Sequence, residues 1–212
     1  MTNFANPVNY QLAYRRFAVA YIFVILDFNI KSGQFRFDII PDWLGYLIMS
    51  MAAYSLRINN KYFSRMFWLT LVLMAVKVFD ISAGSSVIFY GNGNSGVSDF
   101  TLPLVLIYGA FALYTDYMLF RGTQYEAQML GSEEMENRAR RLWKIYLMLF
   151  IVALIFAVIG AMGGNNTSAV PIFLAVLMII IGEISVLFRL FRYARTLLPV
   201  AYENKMRSQN NI

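Results

Sequence analysis

The chain contains no cysteine and no histidine. Those absences remove disulfide frameworks, thiol nucleophiles, haem held by His or Cys, most zinc sites, and catalysis by Ser-His or Cys-His pairs. Charge is scarce too. Asp, Glu, Lys and Arg make up 14% of the 212 residues, against roughly 25% in soluble domains. The balance is apolar, with 59% hydrophobic residues and a mean hydropathy of +0.55. A soluble fold of this length cannot hide that much apolar surface, so the excess points to lipid as the solvent. A cleavable leader pattern is also missing. The stretch "MTNFANPVNYQLAYRR" has no basic segment before an apolar run and no small-residue cleavage site, so the first membrane helix is expected to act as the insertion signal. The net charge of +6 does not call for nucleic acid, because the basic residues sit at the ends of apolar segments, where the positive-inside rule accounts for them.

A membrane-spanning helix needs about 20 mostly apolar residues. Six stretches qualify: 14–32, 41–56, 66–83, 101–120, 143–162 and 170–190. The expected fold class is therefore all-α, a polytopic membrane protein of six transmembrane helices forming one integral membrane domain over 1–212. Lys and Arg orient it. With both termini cytoplasmic, all of the 18 Lys and Arg except Lys31, Arg36 and Lys77 fall on the inner side or at inner helix ends. The reverse orientation would place the same residues outside. Trp43, Trp68 and Trp143 lie at the predicted helix starts, as interfacial aromatics do. Residues 121–144 are expected to form a cytoplasmic loop with a helical extension of helix five. That extension is supported by Glu133 and Glu134 near its start and by the i,i+4 pairs Glu134/Arg138 and Glu136/Arg140. Residues 199–212 are expected to be a flexible tail. The spacing of Arg189, Arg192 and Arg195 runs along one helix face and suits contacts with lipid headgroups.

Five charges fall at membrane depth: Asp27, Lys77, Asp80, Asp116 and Glu183. Each costs about 2.5–3.5 kcal/mol on insertion scales, so each requires a partner or a purpose. The orientation groups them. Asp27, Lys31, Asp38, Asp42, Lys77 and Asp80 form a candidate polar cluster on the outer side. Asp116, Glu183 and Arg189 form one on the inner side. Asp38 and Asp42 flank Pro41 at the mouth of helix two. There Pro suits the first helical position and Asp42 meets the positive end of the dipole. The alternative is a capped helix start with a separate Lys77/Asp80 pair at i,i+3.

The stretch "FDIIPDWLGYLIM" resembles a motif of small, uncharacterised bacterial integral membrane proteins, mainly Gram-positive, with the pattern D-[IL]-[IL]-P-D-[FW]-[IL]-G-Y. It is matched here by Asp38, Pro41, Asp42, Trp43, Gly45 and Tyr46. The resemblance covers about a dozen residues. It implies a bacterial cytoplasmic membrane and carries no activity with it.

Three functions are weighed. The first is a non-enzymatic accessory, binding or immunity-type protein, acting on another membrane protein or as a homodimer. The second is a small transporter for a cation or a proton-coupled solute, using Asp27, Asp80, Asp116 and Glu183. The third is an intramembrane enzyme with an aspartate pair, which no motif supports. The transporter reading gains from a faint echo between "LVLMAVKVFDIS" and "AVLMIIIGEIS", which an inverted repeat of three helices per half would produce. No cofactor or metal is expected. Gly160 and Gly164 stand at GxxxG spacing, and Asn165 and Asn166 begin N-x-S/T triplets that matter only in a secretory pathway.

Overall fold

The structure, a computed structural model, describes residues 7–25, 29–32, 35–38, 42–58, 60–82, 101–162 and 169–197, with single positions at 199 and 203. The described residues are predominantly helical and form six α-helices: α1 (Pro7–Ile25), α2 (Asp42–Leu56), α3 (Lys61–Ser82), α4 (Thr101–Leu130), α5 (Glu133–Met162) and α6 (Ala169–Arg192). A π-helical turn, Tyr193–Leu197, follows α6. Between α1 and α2 lies an antiparallel ribbon of β1 (Asn29–Ser32) and β2 (Phe35–Asp38), pairing Asn29 with Asp38 and Lys31 with Arg36.

The helix borders depart from the hydropathy windows for identifiable reasons. Hydropathy marks where apolar side chains run, whereas helices continue into polar sequence as long as the backbone is satisfied. α1 starts at Pro7, whose missing N–H costs nothing in a first turn. It stops at Ile25, and residues 29–32, expected as its end, are strand instead. There the polar-apolar alternation of "NIKS" and "FRFD", with Gly33-Gln34 between, has the period of a hairpin rather than of a helix. Of the connection left between the expected helices 14–32 and 41–56, residues 35–38 are strand. α3 begins at Lys61 and α5 at Glu133, so Trp68 and Trp143 sit inside their helices rather than at their starts.

Local chemistry explains two of the termini. Asn60 caps α3: its side-chain oxygen accepts from the Tyr62 N–H at 3.0 Å, and its carbonyl accepts from Ser64 at 3.1 Å. α4 runs through the expected cytoplasmic loop to Leu130 and closes on Gly131, whose φ of 69° is the left-handed value a helix stop needs. The Gly131 N–H donates to the Gln128 carbonyl and the Ser132 N–H to the Ala127 carbonyl, the paired bonds of a Schellman stop. Ser132 then opens α5, its hydroxyl accepting from Met135 N–H and its carbonyl from Glu136 N–H. The predicted helical extension is observed, and so are both of its pairs, Glu134 with Arg138 and Glu136 with Arg140 at 2.7 Å.

The chain divides into two compact units, 1–122 and 123–212. In the first, α1 packs on α2 and α2 on α3, and α4 is tied to all three by side-chain contacts. The level of those contacts, Phe63 against Gly122 and Lys77 against Tyr108, makes α3 and α4 antiparallel. At one end of this unit Tyr14, Phe17 and Phe63 are fully buried. Phe17 and Phe63 stack at 5.6 Å, and Tyr14 meets both edge-on. Phe63 lies so close to Gly122 that a Cβ there would come within 2.8 Å of its ring. Nearby, the Asn60 amide donates to the Gly122 carbonyl at 2.9 Å. One buried side chain thus starts α3 and fixes α4 beside it.

α1 and α2 approach closely at Gly45, where an added Cβ would stand 2.8 Å from Val24 Cγ2 and 3.1 Å from Phe23 Cβ. Gly45 faces the Ala20 carbonyl directly. Backbones that approach this closely are the packing mode helices use when lipid removes the hydrophobic drive between them.

In the second unit α5 and α6 pack antiparallel, with Tyr193 level with Met135 and Glu183 level with Tyr146. Two stretches, Glu133–Ile159 and Phe173–Arg195, are long and apolar enough to cross a membrane. Their apolar side chains point largely away from protein: Met148 is 65% exposed, Phe173 66% and Phe188 70%. Isoleucines such as Ile151, Ile155, Ile159, Ile180 and Ile184 are exposed as well. A belt of that composition associates with a membrane. By contrast, the 15 residues of α2 extend only roughly 22 Å at about 1.5 Å per residue, short of a ~30 Å hydrocarbon core.

Candidate functional site

Two of the five charges expected at membrane depth are carboxylates whose side chains the structure describes, and each meets a tyrosine from another helix. Asp116 of α4 is buried and accepts a hydrogen bond from the hydroxyl of Tyr21 of α1, itself buried. Glu183 of α6 accepts one from the hydroxyl of Tyr146 of α5 at 2.9 Å. The tyrosine suits this position. Its ring packs among apolar side chains, and its O–H supplies the donor that a buried carboxylate must have.

Lys77 of α3 is handled differently. Its ammonium lies 5.4 Å from the centre of the Tyr108 ring, in cation–π range. The Tyr108 hydroxyl is 2.7 Å from that of Tyr46 on α2. Three helices of the first unit therefore meet in a polar chain of Lys77, Tyr108 and Tyr46. The motif stretch ends in this chain. Gly45 permits the close approach to α1, and Tyr46, the next residue, points inward to Tyr108.

The other members of the expected outer cluster are placed as follows. Lys31 lies on β1, Asp38 ends β2, Asp42 opens α2 and Asp80 lies in the last turn of α3; the side-chain surroundings of these four, and all of Asp27, lie outside the described residues. Of the expected inner cluster, Asp116 belongs to the first unit and Glu183 to the second. Arg189 is exposed and stands six residues after Glu183, about 9 Å along the helix and on a different face. Arg192 and Arg195 are exposed too, Arg195 on the π turn. Among the described residues no three His, Cys, Asp or Glu group as a metal site. Gly164, Asn165 and Asn166 also lie outside the described residues.

Reading of the sequence residue by residue misses Tyr21, Tyr108 and Tyr146 and takes Tyr46 only as a motif residue, because fourteen tyrosines are too common in an apolar chain for any one to stand out. A signal existed. Tyr21 in "AVAYIFV" and Tyr108 in "VLIYGAF" stand well inside apolar runs, not at their rims. Glu126 was missed as well. It falls within the expected cytoplasmic loop, yet it is buried on the last turns of α4 beside Thr123 and Gln124.

Comparison with protein-family models, with curated proteins and with solved structures returns no match. The class that can be stated is that of a helical protein carrying two helices able to cross a bilayer.

Proposed function

We propose that the chain is a multi-pass protein of a bacterial cytoplasmic membrane, with six spans and both termini inside, that works as a non-enzymatic accessory or binding protein. The observation that carries this reading is the pairing of buried charge. Asp116 and Glu183 each hold a neighbouring helix through a tyrosine, and Lys77 lies on a tyrosine ring. Groups committed in this way stabilise a bundle. A carrier site needs carboxylates that gather round one ion and exchange it. The six-span topology draws support from the two apolar helices and from the Lys and Arg distribution. The bacterial membrane is suggested by the resemblance of residues 38–46. On this reading Arg189, Arg192 and Arg195 meet inner-leaflet headgroups, and the partner is another membrane protein or a second copy of the chain.

Proteoliposomes test the function. Wild-type protein is expected to pass no protons or monovalent cations above the rate of empty vesicles. A flux that falls in Asp116→Asn or Glu183→Gln overturns the reading in favour of transport. The absence of native cysteine makes the topology simple to map. Ser95→Cys should react with an impermeant maleimide on intact cells, and Asn137→Cys only after permeabilisation.

A further inference from the structure

We propose that the corner joining α2 to α3 is a binding surface for the headgroups of anionic phospholipid. This inference rests on the membrane reading above. It concerns a surface distinct from the arginines of α6.

Arg57, Lys61 and Arg65 lie within two turns of this corner, and no Asp or Glu occurs between Asp42 and Asp80. None of the three cations forms an ion pair among the described residues. Arg57 is held in place. Its guanidinium lies 3.8 Å from the centre of the Tyr54 ring and 5.5 Å from that of Phe67. Tyr54 and Phe67 are themselves in contact, and Phe67 meets Trp68 edge-on at 5.1 Å. Lys61 sits 5.4 Å from the Tyr62 ring. Two of these aromatics are largely uncovered, Tyr54 at 51% and Trp68 at 64% exposure, and Ile58 at the tip of the turn is 86% exposed.

Each part of this surface fits the same occupant. An isoleucine at a turn tip and an uncovered indole favour the boundary between acyl chains and headgroups. Cations without counter-ions favour a negatively charged leaflet, at roughly fivefold in partition per residue. A guanidinium whose carbon lies 3.8 Å from the centre of a tyrosine ring keeps N–H groups for a phosphodiester, which planar donor geometry recognises better than a point charge does. An acidic protein partner would satisfy the cations but would gain nothing from a leaflet-directed Ile58.

The test uses the whole chain with Trp43→Phe and Trp143→Phe, leaving Trp68 as the reporter, reconstituted in phosphatidylcholine containing a minor fraction of brominated lipid. Brominated phosphatidylglycerol is expected to quench Trp68 at least about twofold more than brominated phosphatidylcholine at the same fraction. That preference should vanish in Arg57→Gln/Lys61→Gln/Arg65→Gln and survive in Arg57→Lys/Arg65→Lys. If the triple variant does not fold, high salt replaces it, since screening should remove the preference from the unaltered surface. Equal quenching by the two lipids overturns the inference, and so does no quenching by either. The protein with Trp143 as its sole tryptophan keeps the two readings apart. Quenching there alongside failure at Trp68 sinks only this inference, and no quenching at either position sinks the membrane reading as well.

Discussion

Replacing Gly45 by alanine should loosen the first unit, whereas the same replacement at Gly109 should tighten it. At Gly45 a Cβ would stand 2.8 Å from Val24 Cγ2, 2.9 Å from the Ala20 carbonyl oxygen and 3.1 Å from Phe23 Cβ. Real contacts of that kind lie several tenths of an ångström further out. One of the obstructing atoms is backbone, so side-chain rotation alone does not clear the space, and α1 must move away from α2. Overpacking of that degree costs typically about 1–3 kcal/mol. Alanine offsets part of it through its better helix propensity, by about 1 kcal/mol. The net expectation is a loss of about 0–2 kcal/mol. At Gly109, in α4, nothing lies within 4 Å of the added carbon, so only the propensity gain of about 1 kcal/mol remains. The two variants should therefore differ by about 1–3 kcal/mol. Unfolding curves in a mixed-micelle titration of SDS measure the difference directly. If Gly45→Ala unfolds at the same midpoint as Gly109→Ala, or later, the close crossing of α1 and α2 is wrong. The account of the motif glycine then goes with it.

Further outcomes follow from the hydrogen bonds. Tyr21→Phe should cost about 1–3 kcal/mol, the worth of a bond to a carboxylate. Asp116→Asn, which keeps an acceptor for the same hydroxyl, should cost less, and a double-mutant cycle of Tyr21→Phe with Asp116→Ala, which removes the acceptor, should give coupling well above the ~0.5 kcal/mol additivity limit. Asn60→Ala removes a helix cap and the bond to the Gly122 carbonyl together, for about 1.5–3 kcal/mol on the same unfolding assay. Gly131→Ala forces a side chain into the left-handed region and should cost about 1–2 kcal/mol. Glu134→Gln breaks an exposed i,i+4 pair and should change stability by less than about 0.5 kcal/mol.

The features legible in the sequence are those governed by local rules. The Glu/Arg spacing of the α5 extension needs only the helical period, and both of its pairs form. The six apolar segments each contain a helix because a run of apolar residues has few other ways to satisfy its backbone. Helix ends were less legible. They depend on capping atoms such as Asn60 and on a glycine stop such as Gly131, which hydropathy does not register. The alternation and Gly33 of the β1–β2 ribbon are visible in the sequence, but hydropathy alone assigns the first strand to the end of the 14–32 helix. Partner identity was the least legible. Asp116 is close to Tyr21 across 95 residues of chain, and no local pattern encodes that distance. The acids could be singled out one by one because charge in an apolar helix is costly. Asp116 and Glu183 meet tyrosines, which are apolar enough to pass unnoticed.

That same ambivalence of tyrosine bears on what the buried acids do. A bundle immersed in lipid gains little from apolar burial, since lipid tails are as apolar as leucine, and it depends on close packing and interhelical hydrogen bonds. The first unit has both features that such a bundle would use: a close backbone approach of Gly45 to the Ala20 carbonyl, and tyrosine bonds where α4 meets α1 and α2. The second unit, with fewer helices, rests on a Tyr146–Glu183 bond and a Tyr193–Met135 bond along a single α5–α6 contact. If the carboxylates served chiefly to hold an exchangeable ion, further acidic oxygens would have to converge on them, and among the described residues no three acids group in that way. If they serve to join helices, tyrosine is well suited, reaching across a crossing with a rigid ring and a terminal donor. Removing the hydroxyl at position 21 while keeping the ring separates the two cases. A structural pin predicts lower stability with no gain of function, whereas a restrained ion site predicts that ion binding or flux appears or rises.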